Sequence, residues 1–442
     1  MKEASIKMLN SIEVKEKKTP SSNLDELYIH FDEKFNLRTD EKFASLVNFS
    51  LHKDLPFQRW HYYQEGYSPD LVNEIFTYLN LNPKESVIFD PFTGSGSTLV
   101  SAQENGIEAV GIELNPFSFF MAQAKTKNYS SNVIELCEKF KIPPYREIKN
   151  IHKDYELSMI ERLYSKENLT KIELIRNSIE KIKDDDAKII LKATLFSLLE
   201  FCSNYKKGGN GLKKRKKTNN ADVFVEFDKK LNQILEDIKG RKSNSKIKIF
   251  NSNVTELDNL IADNSIDLSI FSPPYANCFD YFEVYKIELW IGKFVKDYKS
   301  LRKLRKSALT SNLNANLKQD KSIDEIKSSI FKNVIGQIGA EKLWDKRIPT
   351  MLMLYFIDMQ NVIKDLYSKQ KNNSFVAIVV GNSAYAGIPV ATDLILTEIA
   401  NNCGFKVKEI IVARKNETSS QQYAKIGSLV KYIRESIIIL EK

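Results

Sequence analysis

The tetrapeptide Ser272-Pro273-Pro274-Tyr275 combines a hydroxyl, backbone carbonyls and an aromatic ring directly after an apolar run, residues 266–271. Such a run is typical of a buried strand. Two prolines fix φ and remove two backbone donors, so the strand must stop there and leave carbonyl acceptors unpaired. Open α/β sheets bind ligands at the carboxyl ends of their strands. These groups suit a flat base that carries an amino group, although the tetrapeptide alone favours a proline-rich turn.

A second candidate site lies between a predicted strand, residues 87–90, and a helix that starts near Thr98. Its residues are Asp90, Pro91, Phe92, Thr93, Gly94, Ser95 and Gly96. The two glycines allow positive φ and a close approach of ligand to backbone. The helix N-terminus beyond them can receive a carboxylate or phosphate. Leu99 stands where a dinucleotide-binding fingerprint has its third glycine, so a cofactor loop and a plain tight turn both remain open.

Glu113 follows the next predicted strand, 23 residues after Asp90. A carboxylate at this position can accept hydrogen bonds from two vicinal ribose hydroxyls. The alternative is a solvated acid at a strand end. After a glycine loop at this spacing, the ribose role is favoured.

Strands and helices alternate in the segments that must position these groups, which predicts a mostly parallel sheet covered on both faces. The predicted strands 407–412 and 436–440 have no long helix between them and are expected to close the sheet as an antiparallel pair. The predicted organisation begins with a lysine-rich, loosely ordered leader that contains one or two short helices (1–50) and the first part of the core (51–130). A mainly helical insertion (131–245), the candidate target-recognition region, and the second part of the core (246–296) follow. A basic polar insertion (297–344) and the third part of the core (345–442) complete it.

The composition is that of an ordinary globular protein with a basic excess, since lysine plus arginine number 66 against 57 acids. The four cysteines are far apart and there are only four histidines, so we expect no metal site. No apolar run approaches the roughly 20 residues that span a bilayer. The charged N-terminus lacks the apolar centre of a signal peptide. We therefore expect a cytoplasmic protein with no membrane partner.

Three motifs occur in one order, namely Asp90-Pro91-Phe92-x-Gly94-x-Gly96, residues 111–116 (GIELNP) and Ser272-Pro273-Pro274-Tyr275. Together they resemble the S-adenosylmethionine-dependent amino-methyltransferases of DNA. The likeness is greatest to the cytosine-N4 branch, in which serine commonly heads the last motif; asparagine or aspartate is usual in the adenine-N6 enzymes. Residues 60–68 and the ending 434–440 also match, and the resemblance covers about 55–130, 246–295 and 345–442.

This resemblance implies a Rossmann-like class I methyltransferase fold with a seven-stranded, mostly parallel sheet. It also implies S-adenosyl-L-methionine as cofactor, bound by the glycine loop and Glu113. The family usually has an acid after the third strand to hold the adenine amine of the cofactor, and here the candidate is Asn253. Phe92 and Phe117 are expected to flank that adenine, with core packing as the alternative.

The resemblance also implies the chemistry. Ser272 and the Pro273 carbonyl would accept the two hydrogens of a base amine, whose nitrogen then attacks the sulfonium methyl in line. Tyr275 would stack on the base, which must leave the duplex to be reached. Serine is no useful general base at neutral pH, so proton loss is expected to follow methyl transfer.

A basic segment in the helical insertion is the candidate contact to double-stranded DNA, through phosphates. Its residues are Lys206, Lys207, Lys213, Lys214, Arg215, Lys216 and Lys217. A solvated charged surface is the alternative. The run from Lys299 to Lys306 competes for the same role.

The resulting expectation is a site-specific DNA methyltransferase that acts on cytosine N4 in a restriction-modification or similar defence system, with a cognate restriction endonuclease as partner. Adenine N6 is the near alternative. An RNA base methyltransferase and a noncatalytic nucleic-acid-binding protein follow. Leu99 and the lack of a suitable histidine disfavour an NAD dehydrogenase.

Overall fold

The apolar runs of the sequence become strands of a central sheet in the computed structural model of the protein. The structure describes residues 20–48, 53–63, 66–209, 211–217, 221–243, 245–416 and 425–442. Residues 1–19 of the predicted leader lie outside these ranges. The strands are β1 Leu37–Thr39, β2 Val87–Asp90, β3 Glu108–Ile112, β4 Tyr205–Lys207, β5 Leu212–Lys214, β6 Ile247–Phe250, β7 Ile266–Phe271, β8 Gln370–Gly381, β9 Ser383–Tyr385, β10 Ile388–Val390, β11 Lys406–Lys415 and β12 Arg434–Glu441.

Within the described residues, eight strands form one sheet in the order β1-β11-β12-β8-β7-β2-β3-β6. The pairs along β6-β3-β2-β7-β8 are parallel, whereas β12 is antiparallel to both β8 and β11. The predicted α/β fold with an antiparallel closing edge is therefore confirmed. The sheet has one strand more than predicted, because β1 pairs parallel with β11 at that edge.

Helices cover both faces of this sheet. They are α1 Pro20–Lys34, α2 Pro69–Tyr78, α3 Ser97–Glu104, α4 Pro116–Thr126, α5 Ser131–Glu138, α6 Ile160–Leu163, α7 Lys166–Ile179, α8 Asp185–Leu198, α9 Val223–Lys239, α10 Leu257–Leu260, α11 Tyr281–Val284, α12 Lys286–Ile291, α13 Tyr298–Ser307, α14 Ser329–Ala340, α15 Ile348–Lys369 and α16 Thr392–Asn402. On one face, α2 and α3 pack over β2 and β7; on the other, α15 and α16 pack over β7 and β8. The described helices include none long and apolar enough to cross a membrane.

Residues 20–48 are more ordered than the predicted leader with its one or two short helices, because the 15-residue helix α1 packs against the core. Apolar side chains at Leu24, Tyr28, Phe31 and Phe35 recur every three or four residues, so α1 presents one apolar face to the core. Tyr28 also donates a hydrogen bond to the Pro389 carbonyl over 2.7 Å. The spacing of apolar residues, and not the net charge, decides the structure of this segment.

The helical insertion forms a second hydrophobic core together with α4, α12 and α13. Helix α7 supplies Leu169, Ile172, Ile175 and Ile179, all fully buried. Strands β4 and β5 project from this insertion as an antiparallel hairpin. The basic segment therefore contains the two paired strands of this hairpin.

Candidate active site

The glycine loop, residues 90–96, connects β2 to α3 and is braced by its first residue. The Asp90 carboxylate accepts hydrogen bonds from the Phe92 amide over 2.9 Å and from the Thr98 hydroxyl over 2.5 Å. Burial raises the pKa of Asp90 to about 7. This side chain ties the strand end to the first turn of α3.

The loop needs glycine at two positions. Gly94 has φ of 55° and Gly96 has φ of 92°, in the left-handed region that side chains disfavour. A Cβ on Gly94 would lie 3.0 Å from the ring of Tyr63, and one on Gly96 would lie 3.1 Å from Ala122. Gly94 therefore leaves room beside Tyr63, and Gly96 lets α3 approach α4.

Glu113 lies just beyond β3 and points back to the glycine loop. One carboxylate oxygen accepts from the Gly94 amide and the other from the Asn115 amide, each over 2.7 Å. Burial raises the pKa of Glu113 to about 8, although these amides favour the charged form. The carboxyl group is thus held in place for hydroxyl donors.

These elements enclose a cavity that we call the cofactor cavity. All the predicted cofactor residues except Gly96 line this cavity. They are Asp90, Pro91, Phe92, Thr93, Gly94, Ser95, Glu113 and Asn253. Their backbone amides, a carboxylate and an aromatic ring match the polar and flat parts of S-adenosylmethionine. The residues present therefore fit the predicted cofactor.

A second cavity, which we call the target cavity, adjoins the first. Ser272, Gly66 and Tyr67 line both cavities. Tyr275, Phe279, Arg414 and Glu435 line the target cavity. Ser272 is therefore within reach of a molecule in either cavity.

The residues of the proline motif follow β7, whose carboxyl end lies next to that of β2. The Ser272 hydroxyl donates to the Tyr275 hydroxyl over 3.4 Å, and Tyr275 donates to Glu435 over 2.7 Å. Burial raises the pKa of Tyr275 well above its ordinary value. A Cβ on Gly381 would lie 2.8 Å from the Tyr275 ring, so glycine in β8 makes the space for that ring.

Two residues that were predicted to contact the adenine of the cofactor have other partners in the structure. The Asn253 side-chain oxygen accepts from the Thr255 amide over 3.1 Å, and its nitrogen donates to the Ser307 carbonyl. A role for Asn253 toward the adenine amine therefore rests on the second lone pair of that oxygen and stays a prediction. Phe117 is fully buried among His61, Tyr285 and other aromatic rings and does not line the cavity, so its predicted role is replaced by core packing.

The basic segment divides into exposed and engaged side chains. Lys206, Lys213, Lys214, Lys216 and Lys217 are exposed. The predicted phosphate contact of Lys207 is wrong, because its buried ammonium donates to Glu288 over 2.5 Å and lies 4.3 Å from the centre of the Tyr285 ring. Arg215 donates to the carbonyls of Ser203 and Glu200, which holds the base of the hairpin.

Sequence reasoning missed residues that come from distant segments. Leu309, Ser311 and Asn312, which follow α13, line the cofactor cavity, although the segment 297–344 was expected to be only a basic polar insertion. Asp358 of α15 accepts from the Thr310 amide over 2.9 Å and holds this segment in place. Gly209, near the tip of the hairpin, lines the target cavity. No local pattern marks these contacts.

Comparison with known proteins identifies the family. A sequence model described as D12 class N6 adenine-specific DNA methyltransferase matches residues 69–337, and one described as DNA methylase matches residues 11–124. The first covers more than half of the chain, so this protein belongs to that family of DNA methyltransferases. It is an S-adenosylmethionine-dependent enzyme of the type II restriction-modification kind.

Curated relatives match nearly the whole chain. The type II methyltransferase M.AvaI of Nostoc sp. is 28% identical, with 99% of each chain covered. M.BsoBI of Geobacillus stearothermophilus is 28% identical, with 95% of this chain and 91% of the relative covered. A solved S-adenosylmethionine-dependent methyltransferase from Archaeoglobus fulgidus has 11% identity, covers 85% of this chain and 95% of its own, and gives a TM-score of 0.29.

These comparisons bear on the target base. The description of the larger family match names adenine N6, so they support the adenine alternative better than cytosine N4. Cytosine N4 stays a prediction.

Gly94→Val should abolish S-adenosylmethionine binding, because the side chain would meet Tyr63 and occupy a left-handed backbone position. Calorimetric titration measures the affinity. Gly336→Val is the matched control, since a Cβ there has no neighbour within 4 Å. Normal affinity in Gly94→Val would remove the loop from the cofactor site.

Cofactor affinity should rise with pH between about 6.5 and 8.5, by roughly 25-fold, because ribose hydroxyls donate to the ionised form of a carboxyl whose pKa is raised to about 8. Below that pKa, Glu113 holds a proton that binding must displace. Titrations of Glu113→Gln across the same range supply the control. We expect this variant to bind more weakly and with a flatter pH dependence; identical profiles would contradict the ribose role of Glu113.

Proposed function

We propose that this DNA methyltransferase transfers the methyl group to the exocyclic amine of a base that has been flipped out of double-stranded DNA into the target cavity. The carrying observation is that Ser272 lines both cavities, so an amine held there faces a methyl donor in the cofactor cavity. The duplex hides such an amine, and enzymes that modify bases commonly extrude them.

An exocyclic amine is a poor nucleophile, because its lone pair is delocalised into the ring. Hydrogen bonds from its two hydrogens to the Ser272 oxygen and the Pro273 carbonyl favour a pyramidal nitrogen with a localised lone pair. Proline supplies this acceptor without a competing backbone donor in the motif. S-adenosylmethionine supplies an electrophilic methyl group, so the contribution of the chain is positioning and electrostatic stabilisation.

For the base, we propose cytosine N4, with adenine N6 as a second candidate. Ser272 at the head of the motif supports cytosine through its resemblance to the cytosine-N4 branch. The family description supports adenine. Both bases present an amine to the same acceptors, so the chemistry of the site is common to the two candidates.

The hairpin of β4 and β5 is the proposed contact to DNA near the flipped base. Gly209, which follows β4, lines the target cavity, and this supports a contact of the hairpin near the flipped base. Lys206, Lys213 and Lys214 are exposed on its two strands and suit contact with phosphates. Lys216 and Lys217 extend this exposed charge beyond β5. Such contacts position the duplex without reading its sequence.

The type II relatives also support a partner. We propose that a cognate restriction endonuclease recognises the same DNA sequence, which methylation protects.

The target base is identified by transfer of labelled methyl groups to double-stranded DNA, single-stranded DNA and RNA, followed by nucleoside analysis. We expect N4-methylcytosine from double-stranded DNA. If the product is N6-methyladenine, the target base is adenine, the second candidate, and not cytosine. Product from RNA alone, or from none of the polymers, would overturn the proposed function.

Ser272→Ala should bind the cofactor normally and lose roughly 100-fold in single-turnover methyl transfer, because one acceptor for the amine is removed. Ser265→Ala, just before the same strand, is the matched control and should keep the full rate. A full rate in Ser272→Ala would exclude the serine from the reaction.

A further inference from the structure

The Ser272 hydroxyl begins a hydrogen-bond chain along the wall of the target cavity, which Tyr275, Glu435 and Arg414 also line. Ser272 donates to Tyr275 over 3.4 Å, and Tyr275 donates to Glu435 over 2.7 Å. Arg414 then donates to the second oxygen of Glu435 over 2.6 Å. Glu435 is buried, with 4% of its surface exposed, and lies on β12, 160 positions after Tyr275 in the sequence.

The charge at the end of this chain sets the direction of every bond in it. An ionised carboxylate can only accept hydrogen bonds, so the Tyr275 hydroxyl must donate its single hydrogen to Glu435. The phenol oxygen can then only accept from Ser272. The single hydrogen of Ser272 is therefore used, and its lone pairs are available on the side of the target cavity.

We infer that Glu435 is a positioning residue for methyl transfer, which acts through Tyr275 to keep Ser272 an acceptor for the amine of the target base. This inference rests on the proposed function. It extends that function to a residue on β12, which is separated from β7 by β8 alone, and gives the hydroxyl of Tyr275 a role besides the stacking of its ring.

The same chain gives the released proton a path. When the amine nitrogen forms its bond to the methyl carbon, the carbon–sulfur bond breaks and its electron pair stays on sulfur. The nitrogen then carries a positive charge and gives one proton to the Ser272 oxygen. The hydrogen of Ser272 passes to Tyr275, and the hydrogen of Tyr275 passes to Glu435. The Ser272 and Tyr275 oxygens each end with one hydrogen again, the methylated nitrogen keeps one of its two hydrogens, and the carboxylate of Glu435 takes up the released proton.

The structure contains a matched control for this arrangement. Glu409 on β11 is buried like Glu435, accepts from the Tyr78 hydroxyl and pairs with Arg38 over 2.5 Å. This second tyrosine–glutamate–arginine group lines neither cavity. Its loss should have the structural effects of losing such a group without the effect on methyl transfer.

The experiment compares Glu435→Gln, Tyr275→Phe, the double variant and Glu409→Gln in the full-length protein. We expect Glu435→Gln and Tyr275→Phe each to lower kcat roughly 100-fold, with KM for DNA and cofactor affinity within about twofold of the wild type. Tyr275→Phe keeps the ring, so stacking is retained. The double variant should be no slower than the slower single variant, because both changes break one chain.

Glu409→Gln should lower the unfolding temperature as much as Glu435→Gln but keep kcat. An unchanged kcat in Glu435→Gln, or losses that multiply in the double variant, would overturn the inference. If Glu435→Gln does not bind the cofactor, Tyr275→Phe decides alone, because it leaves Glu435 and Arg414 paired; a normal kcat there also overturns it. Failure of the wild type to methylate DNA would instead reject the proposed function.

Discussion

The parallel pairing of β2 with β7 is the constraint on which the site depends. Ile88 lies opposite Leu268 and Phe89 opposite Ser269, so the two strands run together and end at the same edge of the sheet. The Asp267 side chain accepts from the Val87 amide over 2.9 Å and helps to fix this register. A slip by one residue would turn the buried side chains to the wrong face. Ser272 meets the cofactor cavity because this register is kept.

The sequence predicts the parts of this arrangement that are local. Strands β2 and β7 have the predicted bounds, because each is a short apolar run that polar, glycine or proline residues end. The glycine loop and Glu113 lie within the same two strand–helix units, so their proximity follows from the direction of parallel strands. The rules for apolar strands and for the direction of parallel strands are therefore sufficient to predict these elements.

The remaining features depend on contacts between distant segments. Glu435 is in a stretch that resembles the family, but nothing around it indicates that it accepts from Tyr275. The sequence predicts that Lys207 is one of seven exposed cations, yet its ammonium lies beside a buried glutamate on α12 in the folded chain. The sequence predicts that Asn312 is part of a polar insertion, whereas in the structure it lines the cofactor cavity. Burial and pairing decide these roles, and both arise only when the segments pack.

The ion pair of Lys207 with Glu288 limits the exchange of the helical insertion between related enzymes. His61 also contacts Glu288 over 3.0 Å, so the end of β4 next to the hairpin turn is joined both to α12 and to the segment that precedes α2. Exchange of residues 131–245 with the insertion of another protein would leave Glu288 buried without its cation, at a cost of about 3–5 kcal/mol. Recombination that preserves the lysine, or that carries α12 along with the insertion, avoids this cost. The helical insertion and α12 are therefore linked through one buried ion pair.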